Sequence, residues 1–255
     1  MASHPGARLL HPPPVRETAD VDSSSDEYAR RFSGRVGRWF VRVQTRATLA
    51  ALAGLGEGAT VLDVGGGHAQ VAPPLVEAGY RVTVAGSDPV CGKRLEPWTS
   101  TGRCRFDVAD LQHLPYEDGT FDAVICYRLL AHSVHWTRLV SELCRVAAHR
   151  VILDYPARRS VNIISRRLFD LKRSVEGVMT RRFSLYDRDE IADAFTAAGF
   201  QVAQEQPQFL LPMALYRLSR SAAFARAAEW PGRMTGLTRV LGSPVIVRAD
   251  RRPAG

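Results

Sequence analysis

The sequence has 255 residues, of which 45% are hydrophobic and 24% are charged. This is the composition of a globular protein, so it excludes a wholly disordered or fibrous chain, and no apolar run reaches the ~18 residues that a membrane-spanning helix needs. The net charge of +8 arises in two segments, since residues 30–46 carry six arginines and no acid, and residues 158–188 carry nine basic and three acidic residues.

The cysteines and the N-terminal residues bear on the cellular compartment. Cys91, Cys104, Cys126 and Cys144 form neither a C-x-x-C pair nor a metal-ligand pattern, so we expect buried, reduced thiols and no metal site. The first residues lack an apolar stretch of the kind found in signal peptides. We therefore expect a cytoplasmic protein.

The length suits one α/β domain, which we place at residues 28–250 between tails at 1–27 and 251–255. We expect the first tail to be disordered because it is polar and carries three consecutive prolines. From residue 28 onwards, apolar side chains recur every three or four positions and arginines occupy another face. This pattern predicts an amphipathic helix that ends near Gly54.

Beyond this helix, short apolar runs alternate with helix-like segments, which predicts a parallel sheet. The predicted strands are Thr60–Val64, Arg81–Ala85, Cys104–Val108, Phe121–Tyr127, Arg150–Asp154, Phe200–Gln206 and Pro244–Arg248. The predicted helices end near residue 78 or span about 90–97, 136–147, 187–199 and 213–229. Two insertions interrupt the alternation: a basic one at about 157–186, predicted to form a lid, and a helical one at about 211–240.

The segment from Val61 to Ala69 is a buried strand that runs into three glycines and then a helix start. Glycines at such a turn allow a ligand to lie directly against the backbone. A dinucleotide-binding fingerprint would need a glycine where Gln70 stands, so this loop argues against a hydride-transferring enzyme.

On these residues the chain resembles the class I S-adenosylmethionine-dependent methyltransferases, and among them the ubiquinone/menaquinone-biosynthesis-like family (methyltransferase type 11). The resemblance covers roughly the whole predicted domain. It rests on four landmarks in order, which are the acid-x-Gly-x-Gly motif at Asp63–Gly67, Asp88 after the second strand, Val108–Leu111, and Gly119–Val124. It implies a Rossmann-like α/β fold with a seven-stranded, mostly parallel sheet, helices on both faces and a helical lid insertion.

The resemblance also implies the cofactor, S-adenosyl-L-methionine, with S-adenosyl-L-homocysteine as the product. In this family the acid at Asp88 holds the ribose hydroxyls, the glycines admit the methionine portion, and the acid at Asp110 lies near the adenine amino group. The predicted cofactor-binding residues are Asp63, Gly65, Gly66, Gly67, Asp88, Pro89, Asp110, Leu111 and Tyr127. The sequence departs from the family where Ala69 replaces the third glycine of the loop and where residues 145–150 replace a Lys-Pro-Gly-Gly turn.

Methyl transfer requires a positioned nucleophile and, for an oxygen or an acidic carbon, removal of a proton. The family brings the transferable methyl near the segment after the fourth strand, so His132 and His135 are the predicted catalytic bases. For His135 the alternative is a capping role or packing against Trp136. Arg128 and Tyr155 are predicted substrate contacts, and Asp154 is expected to face the same crevice.

The resulting hypothesis is transfer of a methyl group to an O (or C or N) atom of a small-molecule acceptor, such as a secondary metabolite or a lipid-like compound, by a monomer or a homodimer. The basic lid predicts a weak contact with an anionic surface. A nucleic-acid (RNA) methyltransferase is one alternative, although Cys126–Leu129 is neither an Asn/Asp-Pro-Pro-Tyr nor a Pro-Cys signature, so no nucleic-acid partner is expected. A non-catalytic S-adenosylmethionine-binding protein is the other.

Overall fold

The structure is a computed structural model that describes residues 17–160 and 183–253. All seven predicted strands are present and form one sheet with the order β3-β2-β1-β4-β5-β7-β6. The strands are β1 (Thr60–Val64), β2 (Arg81–Gly86), β3 (Cys104–Val108), β4 (Phe121–Cys126), β5 (Ala147–Tyr155), β6 (Phe200–Pro207) and β7 (Val245–Arg251).

The described residues also form ten α-helices. These are α1 (Ala19–Ser23), α2 (Asp26–Arg30), α3 (Gly34–Leu52), α4 (Ala72–Glu77), α5 (Glu96–Thr99), α6 (Trp136–Val146), α7 (Arg188–Ala197), α8 (Met213–Ser219), α9 (Ala222–Met234) and α10 (Leu237–Leu241). A capping box formed by Asp187 and Glu190 begins α7, at the position where the sequence predicted a helix. Short 3-10 helices follow β1, β2 and β4 at Gly66–His68, Pro89–Leu95 and Leu130–His132.

The sheet is mixed, and its topology defines the position of the site. Strands β1 to β5 pair in parallel, whereas β7 pairs antiparallel with both β5 and β6. The strand order reverses between β1 and β4, because β2 and β3 lie on one side of β1 and the later strands lie on the other. In open α/β sheets, ligands bind at such a switch point, outside the carboxyl ends of the strands.

Apolar side chains cover both faces of the sheet. One cluster joins the sheet to α6 and α7 through residues such as Leu139 and Phe195, and a second joins it to α3 and α4 through residues such as Leu52 and Leu75. The four cysteines are free and buried, as the sequence predicted. None of the described helices combines the length and the apolar character needed to cross a bilayer.

A third cluster attaches α8 and α9 to the N-terminal half of α3. Trp39 and Phe40 of α3 pack edge-on against Phe209 and Tyr216, with ring centroids 5.0–6.1 Å apart. The buried carboxylate of Glu229 accepts hydrogen bonds from the Tyr216 hydroxyl and from the backbone around residue 210. This small subdomain lies beside the carboxyl end of β5 and the amino end of β7.

The N-terminal part of the described chain differs from the sequence-based expectations in two ways. Residues 17–27, expected to belong to a disordered tail, contain α1 and the start of α2, and Asp20 is fully buried. The single helix expected from residue 28 is interrupted before Gly34, whose φ is +71°. Most of the predicted lid, residues 161–182, and residues 1–16 lie outside the described residues.

Candidate functional site

The loop after β1 consists of glycines because both its conformation and its packing require them. Gly65 has φ +75°, a left-handed conformation that favours glycine. A β-carbon on Gly66 would lie 2.0 Å from Oδ2 of Asp63, so a side chain has no room beside this carboxylate. The motif residues Asp63, Gly65, Gly66 and Gly67 are therefore brought together at the carboxyl end of β1.

Asp63 is a buried carboxylate without a partner. Its side chain is fully buried, and neither Oδ1 nor Oδ2 has a hydrogen-bond partner among the described residues. Burial raises the pKa of Asp63 to about 7, while the positive charge of Arg128 opposes this shift. An unpaired buried charge is costly, so this position is complementary to a cationic group of a ligand.

Helix α1 lies directly on the glycine loop. The Asp20 carboxylate accepts hydrogen bonds from the backbone N–H of Ser87 at 2.7 Å and from the Ser87 hydroxyl. A β-carbon on Gly65 would lie 3.5 Å from Cβ of Asp20, and one on Gly67 would lie 2.3 Å from Oγ of Ser24. A ligand that lies against this backbone therefore has to displace α1.

Asp88 and Pro89 stand at the carboxyl end of β2. Oδ1 of Asp88 accepts a hydrogen bond from the backbone N–H of Val90 at 2.8 Å, which caps the 3-10 helix that begins at Pro89. The second carboxylate oxygen has no partner among the described residues, and the residue is exposed. Asp88 can therefore cap the helix and still accept a hydrogen bond from a ligand.

Asp110 and Leu111 follow β3 at the same edge of the sheet. Oδ1 of Asp110 accepts a hydrogen bond from the backbone N–H of Gln112 at 2.9 Å, and Oδ2 lies 3.3 Å from Nδ1 of His113. Leu111 is buried in the core, 2% exposed. The structure thus gives Asp110 a turn-forming role, and its predicted contact with adenine stays a prediction.

Tyr127 does not point into the crevice. Its side chain is 1% exposed in the apolar cluster beneath α3, and its hydroxyl lies 2.8 Å from Oγ1 of Thr48. Burial raises its pKa far above the usual range. The prediction that the Tyr127 side chain binds the cofactor is corrected, because this side chain belongs to the core.

Arg128 begins the turn after β4 in a left-handed conformation, with φ +61°. Its guanidinium donates hydrogen bonds to the side-chain carbonyls of Gln70, at 2.6 Å, and Gln44, and it lies 4.1 Å from the centroid of the Phe32 ring. Its backbone N–H donates to Oδ1 of Asp154 at 2.6 Å. Arg128 is therefore held rigidly at the junction of β4, β5 and α3.

A cavity of about 330 Å³ opens beside Arg128. Its walls are largely aromatic and apolar, and they come from α2, α3, the segment after residue 183, the loop after β6, and α8. The apolar lining includes Tyr28, Phe32, Phe40, Phe183, Leu185, Phe209, Met213 and Ile246. The polar groups of the lining include Arg128, His132, Asp154 and Arg217. This volume and lining are typical of a small-molecule pocket.

Asp154 and His132 place titratable groups in this cavity. Asp154 ends β5 and is 8% exposed, and burial raises its pKa to about 6 although the backbone N–H and the charge of Arg128 oppose the shift. The His132 ring packs edge-on against Phe183, with centroids 5.4 Å apart. His132 is thus one of the predicted residues that reach the cavity, and so is Arg128.

Two predicted residues do not reach it. Tyr155 projects from the opposite face of β5 into the core below α6 and α7, and its hydroxyl lies 3.5 Å from Oε1 of Glu205. His135 is exposed at the start of α6, where its backbone N–H donates to Oε1 of Glu17 at 3.0 Å. The predictions that Tyr155 contacts substrate and that His135 is a base are therefore corrected.

Sequence reasoning missed several residues of the site. Asp20 lay in the supposed tail, and Gln44 and Gln70 carried no motif signal. Arg217 lines the cavity and forms no ion pair within the described part of the chain. Partial burial and the nearby charge of Arg31 lower the pKa of Arg217. The only available signal for Arg217 was its place in a helical insertion that follows the sixth strand.

Comparison with known proteins identifies the family and supports the fold. The family model described as a methyltransferase domain matches residues 38–205. A short segment of 56 residues, 21% of this chain and 19% of the relative, is 43% identical to norajmaline N-methyltransferase of Rauvolfia serpentina. The chain thus covers only about a fifth of that relative.

Solved structures share the fold over nearly the full chain. The magnesium protoporphyrin IX methyltransferase of Synechocystis PCC 6803, with bound SAH, superposes with a TM-score of 0.60 at 20% identity, covering 91% of this chain and 97% of its own. The Haloferax volcanii putative methyltransferase complexed with its Trm112 activator gives a TM-score of 0.62 at 16% identity, covering 93% and 99%. With the family match over more than half of the sequence, the chain belongs to the methyltransferase domain family, the S-adenosylmethionine-dependent class I methyltransferases that its motifs resemble.

Proposed function

We propose that this protein transfers the methyl group of S-adenosylmethionine to a small, largely apolar acceptor bound in the cavity beside Arg128. The observation that carries this proposal is the position of the cavity at the carboxyl ends of β4 and β5, next to the crevice that contains Asp63 and the glycine loop. The aromatic lining of the cavity favours a small apolar acceptor over a polynucleotide, because the phosphates of a polynucleotide would require many solvated basic contacts.

The residues of the glycine loop fit the cofactor. Bound S-adenosylmethionine supplies an activated methyl group on a sulfonium. Asp63 is the orphaned carboxylate that a ligand ammonium would pair with, and Asp88 offers its free oxygen to ribose hydroxyls. Pairing with a cation would favour the ionised form of Asp63, so cofactor binding should stabilise a charge that the free protein holds at a cost.

Asp154 is better placed than His132 to accept a proton from the methyl acceptor. It is buried at the base of the cavity, and its pKa of about 6 leaves it ionised near pH 7 but close enough to neutrality to take a proton from an acceptor hydroxyl. Arg128 orients it through the 2.6 Å backbone hydrogen bond. His132 lines the same cavity and is the second candidate.

Arg217 suits an anionic group at the apolar cavity. It has no ion-pair partner among the described residues, and Arg31 is close enough to lower its pKa. A carboxylate or a phosphate of the acceptor would relieve this repulsion. The proposed acceptor is therefore an apolar molecule with an acidic group.

The test uses S-adenosylmethionine labelled in the methyl group, the purified protein, and either the organic-soluble metabolites or the total RNA of the organism that carries the gene. We expect label in the metabolite fraction, and much less label with Asp88→Asn, which weakens cofactor binding. Asp193→Asn, which alters an exposed acid on α7, serves as the matched control and should keep the activity. Label in RNA alone would overturn the proposal in favour of nucleic-acid modification.

Binding without turnover is the other alternative. If calorimetry shows that the protein binds S-adenosylmethionine but no fraction becomes labelled, the catalytic part of the proposal fails and the cofactor part stands.

A further inference from the structure

Helices α8–α10 expose an unusual amount of apolar surface. Of the eleven large hydrophobic side chains exposed within the described residues, seven lie on these three helices. They are Leu215, Leu218, Phe224, Trp230, Met234, Leu237 and Val240. The helices pack against one another, and α8 and α9 also pack against α3, so this surface is formed by a folded subdomain.

On α9 the exposed apolar side chains recur at helical spacing along the outward face. The buried side of α9 carries Ala225, Glu229 and Gly232. The outward side carries Ala223, Ala227, Trp230 and Met234, whose spacing of four, three and four residues places them on one stripe. Trp230 is 63% exposed and Met234 is 67% exposed. A helix on a water-facing surface normally presents polar residues there, so this stripe is complementary to an apolar partner.

The charges around the stripe have one sign. Every exposed charged residue between 213 and 241 is an arginine, namely Arg217, Arg220, Arg226, Arg233 and Arg239. The single acid of this segment, Glu229, is buried and hydrogen-bonded to Tyr216. None of the five arginines forms an ion pair within the described ranges. The exposed arginines of α3, against which α9 packs, extend the positive field.

We propose that the α8–α10 surface docks on an anionic lipid bilayer. Aromatic and aliphatic side chains flanked by arginines are the composition of helices that lie in the membrane interface, where the apolar face enters the headgroup boundary and the cations meet anionic lipids. A second copy of this chain fits less well, because a two-fold contact would bring arginines against arginines. A nucleic acid would match the arginines but would leave the Trp230 stripe in water.

Docking through this surface would place the substrate cavity next to the bilayer. The relevance of this position to catalysis rests on the proposed function. Met213 and Arg217 of α8 line the cavity, while Leu215 and Leu218 of the same helix are exposed. An amphiphilic acceptor held in the bilayer would therefore need to cross only one helix to reach Asp154. The docking itself does not require that the protein methylate anything.

The experiment measures cosedimentation of the full-length protein with sucrose-loaded vesicles of phosphatidylcholine, either pure or with about one third phosphatidylglycerol. We expect binding only to the anionic vesicles, with a blue shift of tryptophan fluorescence because Trp230 is the most exposed of the four tryptophans. Arg226→Gln with Arg233→Gln should weaken binding about 25-fold, since each basic residue near an anionic surface contributes about five-fold. The matched control, Arg103→Gln with Arg138→Gln, removes the same charge from exposed positions outside α8–α10 and should change binding much less.

A second double variant, Trp230→Ser with Met234→Ser, should lose the vesicle binding without loss of folding, since both side chains are exposed.

Equal losses for the two arginine pairs would show a non-specific charge effect and overturn the proposal. Protection of Trp230 from acrylamide quenching before vesicles are added, or a dimer that Trp230→Ser dissociates, would show that another surface covers the stripe and would also overturn it. Binding of duplex RNA with unchanged Trp230 fluorescence, and no vesicle binding, would assign the surface to nucleic acid. S-adenosylmethionine affinity is measured in parallel and should be the same in all these variants, so failure of the docking proposal is distinguishable from failure of the proposed function.

Discussion

Replacing Asp20 with alanine should tighten cofactor binding, although Asp20 is buried within the site. The Asp20 carboxylate holds α1 against the glycine loop through the backbone and the hydroxyl of Ser87. With α1 in this position, Asp20 and Ser24 occupy the space directly above Gly65 and Gly67. A cofactor that lies on the glycine loop binds only the fraction of molecules in which α1 has moved away, and its apparent affinity is reduced by that fraction.

The magnitude follows from the lost hydrogen bonds. Hydrogen bonds to a charged group contribute about 1.5–3 kcal/mol each, and an energy of about 1.4 kcal/mol corresponds to a factor of ten in an equilibrium constant. Losing one such bond from the closed arrangement should therefore tighten S-adenosylhomocysteine binding about tenfold in Asp20→Ala. Asp20→Ala removes three hydrogen bonds in all, because the Cys91 thiol also donates to the Asp20 carboxylate, and the loss of all three sets the upper limit of the effect.

Isothermal titration of the wild type, Asp20→Ala and Glu27→Ala checks this expectation. Glu27 is an exposed acid on α2, so its replacement makes the same change of charge without releasing α1. An unchanged or weaker affinity in Asp20→Ala would refute the reasoning, because it would mean that Asp20 either does not compete with the cofactor or helps to bind it. Faster amide exchange of residues 17–24 on addition of S-adenosylhomocysteine is the accompanying observation.

Three further predictions concern individual side chains. The Asp63 pKa is raised from 3.8 to about 7, so the native state retains a proton that the unfolded chain loses, and stability falls as pH rises from about 4 to 7. Asp63→Asn should therefore melt higher than the wild type at pH 8 but nearly equally at pH 4, and it should lose cofactor binding. Asp154→Asn should reduce turnover at least 100-fold with normal cofactor affinity. It should also abolish the fall in rate below about pH 6 that protonation of Asp154 causes in the wild type. His135→Ala, in contrast, should leave turnover unchanged. Gly66→Ala should abolish cofactor binding because its β-carbon would overlap Asp63; calorimetry with normal affinity would contradict this.

The strands and the glycine loop were predictable because their signals are local. Each strand is a short apolar run between turn residues, and the acid-x-Gly-x-Gly segment requires glycine for steric reasons within a few residues, as Gly66 beside Asp63 shows. The order of these segments then implies where β1 to β5 lie in the sheet. This is why Asp63 and Asp88 could be placed at one edge of the sheet before the fold was known.

The remaining features depend on contacts between distant parts of the chain. Asp20 meets Ser87 across 67 positions of sequence, so the polar composition of residues 1–27 gave no indication that α1 packs in the crevice. The alternation of β5 required that Asp154 and Tyr155 face opposite sides, but only the pairing of Asp154 with Ile246 of β7 shows which side meets the cavity. Likewise α9 is apolar on much of its circumference, and its sequence could not indicate that the Trp230 side faces outward.

Calorimetric titration of the purified protein tests most directly whether the crevice over the glycine loop binds S-adenosylmethionine. The protein is first freed of any co-purified ligand and is then titrated with S-adenosylmethionine, S-adenosylhomocysteine and, as a control, NADH. Micromolar binding of the first two ligands, weakened at least tenfold by Asp88→Asn and absent for NADH, is the expected result. Binding of NADH alone would contradict the account, because it would show that the glycine loop serves a dinucleotide.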